Sequence, residues 1–360
     1  NGGTDAFFIR FEGDGEAPYS GPTWHISTSG SDEGQGSEES PFATIQHAID
    51  VANPGETVGE GDTVLVHPGT YYQTFNGQNK NISIGSLMLT TGDTSYISQT
   101  IIDFVNVVDA TNSLIYACKR LDGFTIQNNL YNEHYERTVQ ANDNAIYKNL
   151  IIKNNIGQPL YCTGGGGLQL INSIIENNNE RGIDISCTGD VLIENVQIIN
   201  NSYLGDGGGI KINDNTYVLI IGSLIAGNHA GDKGGAICVR SGSNPATIEI
   251  NNSTIAYNTS GGSDGHGIGD IFDYHPGSES HSYFIINNSI IWDDNILVTS
   301  NNTATGEEDL DWSYWVISYS NIDWTLSESF IDPSGAAWGG EGNIDTYPLF
   351  CNVSNDDFTL

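Results

Sequence analysis

The stretch LINSIIENN (170–178) decides the fold, because the chain keeps returning to it. LDGFTIQNN begins at Leu121, YKNLIIKNN at Tyr147 and IENVQIINN at Ile193. IIGSLIAGN begins at Ile220, INNSTIAYN at Ile250 and INNSIIWDD at Ile286. Each copy has an Asn or Gly anchor, an Ile three residues later, and an Asn or Asp six residues later. The anchors Gly123, Asn149, Asn172, Asn195, Gly222, Asn252 and Asn288 are spaced by 26, 23, 23, 27, 30 and 36 residues.

A unit near 23 residues is too long for one strand and too short for a strand–helix–strand crossover. Between anchors the apolar residues alternate with period two, in short β-rich runs broken by Gly and Asn. Each unit therefore reads as one coil of two or three short strands joined by tight turns. A single coil cannot bury its apolar face, so consecutive coils stack, about 4.8 Å apart, into a solenoid. Asn suits the turn because it tolerates left-handed backbone angles. Its amide can also bond to the Asn one coil above or below, which satisfies turn groups that stacking would otherwise orphan. Triplets such as Asn252-Ser253-Thr254 then read as by-products of the ladder rather than glycan acceptors. The spacings lengthen after Asn195 while the core run keeps its size, so the added residues form loops at 202–208, 229–234, 259–267 and 276–282. Such loops would wall a cleft.

Composition agrees with an all-β, turn-rich, folded chain: 360 residues, 38% hydrophobic, 44 Gly and a single Met. The 11 Lys and Arg against 45 Asp and Glu give −34, which argues against direct nucleic-acid binding; a polyanionic partner would need a bridging cation or a local basic spot. This charge fits solubility in a salty or extracellular medium, or affinity for divalent cations. No apolar run reaches 18 residues, so no transmembrane helix is expected. With neither an initiating Met nor a signal segment, the chain reads as a mature region whose export signal has been removed. It is expected to be secreted or held at a bacterial cell surface, as a monomer. The five cysteines include no CxxC pair, which points to neither a zinc site nor a full disulfide framework. Cys162 and Cys187 read as small buried hydrophobes.

Both ends carry a resemblance. The segment running from WHISTSGSDEG to DTVLVHPGTYY (24–72) is similar to the opening of exported right-handed parallel β-helix proteins, the pectate-lyase-like enzymes among them. Ile45, Ala48, Ile49 and Ala52 sit at helical spacing, and a short helix there would cover the open end of the solenoid. GGGI (207–210) and GGAI (234–237) resemble the GGA[ILV] motif of polymorphic outer-membrane proteins, β-helical adhesins whose companion FxxN appears here as IxxN at 225–228 and 255–258. GNIDTYPLFCNVSNDDFTL (342–360) resembles the closing segment of bacterial surface β-helices. The resemblance implies one right-handed parallel β-helix: an extension at 1–22, a cap and first coil at 23–75, coils at 76–324 and a closing segment at 325–360. It implies a fold rather than one activity, because lyases, hydrolases and adhesins share it.

Aligning the strand after each Asn turn gives LYCT (160–163), IDIS (183–186), IKIN (210–213) and ICVR (237–240). If Ile and Val point inward, Tyr161, Asp184, Lys211 and Cys238 form one outward column. Thr163, Ser186, Asn213 and Arg240 form a second. The next coil offers Asp270 and Asp273, with a register uncertain by one residue. Three uses fit these residues. One is an exposed ion-pair ladder along the sheet. A second is β-elimination on an acidic polysaccharide. There Lys211 or Arg240 would be the base, and Ca²⁺ held by Asp184, Asp206 and Asp214 would neutralise the uronate carboxylate. Tyr161, Asn213, His266 and Trp292 would touch the sugar. The third is a two-carboxylate hydrolase, suggested by GHG in DGHGIGD (264–270), which resembles polygalacturonases but lacks their Asp-Asp and Arg-x-Lys partners. Aromatic clusters at 292–294, 309–315 and 322–324 would stack sugars or close the end of the solenoid. A non-catalytic surface adhesin or stalk remains the alternative to a polysaccharide-binding or polysaccharide-cleaving protein.

Overall fold

The computed structural model describes residues 19–57, 59–107, 113–130, 137–213, 216–240, 245–261, 271–274, 282–292, 314–322, 344 and 348, with backbone alone at 272–274, 314, 315 and 322. These residues form a parallel β-solenoid. Three long sheets run its length: sheet A with eleven strands, sheet B with ten and sheet C with eight. A complete coil contributes one strand to each, in the order A, B, C. Every pairing along the coils is parallel and in register, as in Ile183↔Ile210↔Ile237.

The inner columns explain the stacking. Ile183, Ile185, Ile210, Ile212, Ile237 and Val239 are all fully buried on sheet C. Burying such side chains stabilises by about 2–3 kcal/mol each, and β-branching suits the pleated surface. Asn149, Asn172, Asn195, Asn252 and Asn288 turn the chain from sheet A to sheet B at positive φ, as do Gly123 and Gly222. The next turn, from sheet B toward sheet C, has its own left-handed residue at Asn128, Asn154, Asn177, Asn200, Gly227 and Tyr257. The residue after it is the buried ladder Asn129, Asn155, Asn178, Asn201, Asn228 and Asn258, each at most 1% exposed. Asn178 Oδ1 accepts from Asn155 Nδ2 at 2.9 Å, and Asn178 Nδ2 donates to Asn201 Oδ1 at 2.8 Å. Beside the first turn, Ser173, Ser223, Ser253 and Ser289 form a parallel hydroxyl ladder to the backbone amides one coil earlier.

Helix α1 (Ile45–Val51) caps the N-terminal end as expected, with Ile45, Ala48 and Ile49 buried. Thr44 accepts from the His47 amide at its start, and Lys80 Nζ donates to the carbonyls of Ile49, Asp50 and Ala52 at its end. Two short helices, α2 (Met88–Thr91) and α3 (Ser95–Gln99), interrupt the run between sheets A and B. Neither buries a residue, so neither leaves an apolar period in the sequence.

The cysteine reading is corrected. Cys162 and Cys187 are fully buried, but they are joined by a disulfide with Cα atoms 5.4 Å apart. Parallel register places Cys187 beside Gly164, two residues along from Cys162, so the bond crosses diagonally between neighbouring coils. Among the described residues, no helix is long and apolar enough to cross a membrane.

Candidate functional site

Register keeps the two expected columns of sheet C, but Cys238 and Asp184 are buried rather than solvent-facing. Register runs Gln140↔Tyr161↔Asp184↔Lys211↔Cys238 in one column, and Asn213↔Arg240 in the other. In the following coil, Phe272 and Tyr274 take the register positions beside Cys238 and Arg240, while Asp273 aligns with the inward Val239. That resolves the one-residue ambiguity against Asp273 as a column member. His266, Asp214 and Asp270 lie outside the described residues. Trp292 belongs to sheet B, where it packs against Ala226 and Ala256, away from the other expected sugar contacts.

Lys211 is half-buried in mid-column and Arg240 is exposed at the end of its strand. Asp184 is 8% exposed, and its ion pair is with Arg181, Nη1 to Oδ2 at 2.6 Å, rather than with Lys211. Its other oxygen accepts from Ser186 Oγ and Asn213 Nδ2, both at 3.0 Å. A guanidinium and two neutral donors therefore occupy the carboxylate expected to hold Ca²⁺. Among the described residues no three His, Cys, Asp or Glu side chains are grouped to hold a metal ion, and Asp214, the third expected ligand, lies outside them.

The alignment of strands alone missed Glu180 and Arg181, which precede the strand Ile183–Cys187. Arg181 is 7% exposed, with its guanidinium carbon 4.0 Å from the centroid of the Tyr203 ring. Glu180 Oε1 stands 3.7 Å from Arg181 Nε, beyond hydrogen-bond reach. Burial pushes the Glu180 carboxyl up to about 7; Asp184 adds to the rise, while Arg181 and Lys211 oppose it. Asp206, in the loop one coil on, has a buried Oδ1 with no hydrogen-bond partner among the described residues. Further along the sheet a second guanidinium, Arg137, lies over the Tyr161 ring at 3.7 Å and donates to Gln140. The signal in the sequence was ERG (180–182), the one Glu-Arg pair directly before an aligned strand.

The loops at 202–208 and 229–234 lie where the spacings place them, while most of 259–267 and 276–282 lies outside the described residues. Their first residues, Ser202–Tyr203, His229–Ala230 and Thr259–Ser260, pair into a small three-stranded sheet between B and C. This ledge stands beside the Arg181 corner, so the sheet C face is flanked on one side.

Residues 110–270 match the family model described as a right handed beta helix region. No curated protein matches the chain. Among solved structures it is similar to pectate lyase Pel9A, at 13% identity over 87% of this chain and 82% of that one, with a TM-score of 0.44. A rhamnogalacturonan lyase is similar at 14% identity over 83% and 87%, TM-score 0.47. The A-module of mannuronan C-5 epimerase AlgE6 from Azotobacter vinelandii is similar at 12% identity over 85% and 95%, TM-score 0.36. The stacked parallel coils and the match over residues 110–270 agree on a right-handed parallel β-helix fold.

Proposed function

We propose that this chain is an exported protein that binds an acidic polysaccharide along the outward face of sheet C, and that Lys211 acts there as the base of an elimination. The observation that carries the reading is the placing of scarce charge. Arg137, Arg181, Lys211, Lys233 and Arg240, five of the chain's eleven cations, belong to this one sheet and its loops in a molecule of net −34. A long sheet face, flanked on one side and carrying spaced cations and tyrosine rings, suits an extended polyanion with apolar sugar faces. The buried Cys162–Cys187 bond supports an oxidising destination outside the cytosol.

In the elimination, the base takes the proton from the carbon α to the uronate carboxylate. The freed electron pair forms a carbon–carbon double bond as the bond to the neighbouring sugar oxygen breaks, and that oxygen takes a proton from water. Lys211 would stand over the sugar while Arg240 and Arg181 hold carboxylates. The alternative, a non-catalytic adhesin, is favoured by Leu204, 91% exposed in the loop that follows Ser202–Tyr203. A screen against uronate-containing and neutral glycans, with Ca²⁺ and with EDTA, tests the reading. Binding to uronates with new ultraviolet-absorbing unsaturated ends is expected. Binding without them supports the adhesin, and no uronate binding in either arm refutes the assignment.

A further inference from the structure

We propose that Arg181 is the carboxylate receptor of this groove, and that Glu180 is its resident competitor, displaced from Arg181 when a sugar carboxylate binds. This rests on reading sheet C as an acidic-glycan site. Arg181 is held on three sides. Its Nη1 is bonded to Asp184, its plane lies against Tyr203, and the side chain is more than nine-tenths buried. The remaining edge, Nε with Nη2, presents two parallel N–H donors. Neither has a hydrogen-bond acceptor among the described residues, and Nε is buried. That edge has the geometry that binds a carboxylate through two parallel bonds. Glu180 stands nearest to it, at 3.7 Å, close enough to hold the place electrostatically without making the bond.

The competition is proton-linked. The charged groups facing Glu180 are Arg181 and Asp184 beside it and Lys211 on the next strand. Burial places the Glu180 proton near neutrality, at about 7. Below that pH the side chain is neutral, no longer holds Arg181 by charge, and is displaced by a ligand carboxylate. Above it, Glu180 is ionised, attracts Arg181 and repels the ligand. Binding that requires the protonated form loses affinity about tenfold per pH unit above that point. A uronate polymer keeps its own carboxylates ionised throughout, since these titrate about three units lower.

The test is calorimetric titration of the whole chain with polygalacturonate from pH 5.5 to 9, for wild type, Glu180→Gln, Arg181→Gln and Arg181→Lys, with far-ultraviolet dichroism confirming the fold of each. Wild-type affinity should be level below pH 6.5 and fall about tenfold per unit above 7. Glu180→Gln should be level throughout and bind about tenfold tighter than wild type at pH 8. Both Arg181 variants should bind weakly at every pH, Arg181→Lys included, because an ammonium cannot make the paired bonds. A wild-type slope that persists in Glu180→Gln, or full affinity in a folded Arg181 variant, overturns the inference while leaving the groove reading intact. No binding by wild type at any pH overturns the groove reading, and this inference with it.

Discussion

Asn178→Ala is the sharpest probe of what holds the coils together. The side chain is 1% exposed. Its Oδ1 accepts from the Asn155 backbone N–H at 3.0 Å and from Asn155 Nδ2 at 2.9 Å. Its Nδ2 donates to the Ile152 carbonyl at 3.2 Å and to Asn201 Oδ1 at 2.8 Å. Truncation leaves both Asn155 donors buried without an acceptor, and each such orphan costs about 1–3 kcal/mol. The expected loss is about 4 kcal/mol, lowered if water enters the small void. Asn172→Ala is the control from the other turn. Asn172 is exposed, accepts one bond from Asn195 Nδ2, and has φ +50. Placing Ala there costs about 1–2 kcal/mol in left-handed strain and little else. Urea unfolding at unchanged m would measure both. Hydrogen exchange at the Asn155 amide would localise the effect, since a solenoid can open coil by coil. Equal losses for the two variants, or less than about 1 kcal/mol for Asn178→Ala, would refute the ladder as a load carried inside the stack.

Three further outcomes follow from the same structure. Replacing Cys162 and Cys187 together by Ala should cost about 3 kcal/mol, by opening a loop of 25 residues in the unfolded chain, read as a lower denaturation midpoint that no longer responds to reductant. Gly222→Asn should change stability by less than about 0.5 kcal/mol, because Gly222 already has φ +57, a Cβ there meets nothing within 4 Å, and equivalent coils carry Asn. Lys80→Met should lower the unfolding temperature by a few degrees. It strips three hydrogen bonds from the carbonyls at the end of α1 and removes about 1–2 kcal/mol.

The coil architecture was legible because its causes are local. The anchors at Asn149, Asn172, Asn195 and Gly222 do turn the chain, and each is left-handed. The alternation of Ile183, Ile185, Ile210 and Ile212 is enough to set which side chains face out of sheet C. The Asn-Asn pairs hid two different tasks. Asn177 bends the backbone, and Asn178 is the buried member of the ladder. Contacts between coils off the aligned columns were not legible. Cys162 and Cys187 meet on a diagonal, so column-wise reading separated them. His25 and His67, 42 residues apart, meet at 2.9 Å across the first turn of the solenoid, where no local spacing announces them. Arg181 and Glu180 come before the strand, so an alignment that began with the strand could not see that Asp184 already had a partner.

The central claim is that one flank of sheet C reads the carboxylates of a glycan. It is tested most directly by the affinity of Lys211→Ala/Arg240→Ala for polygalacturonate, measured beside wild type at low and high salt. Wild type should bind, more weakly as salt rises, and the double variant should lose at least about tenfold, since each cation on such a surface contributes on the order of 1 kcal/mol. Equal affinity of the two proteins at every salt concentration would contradict the account.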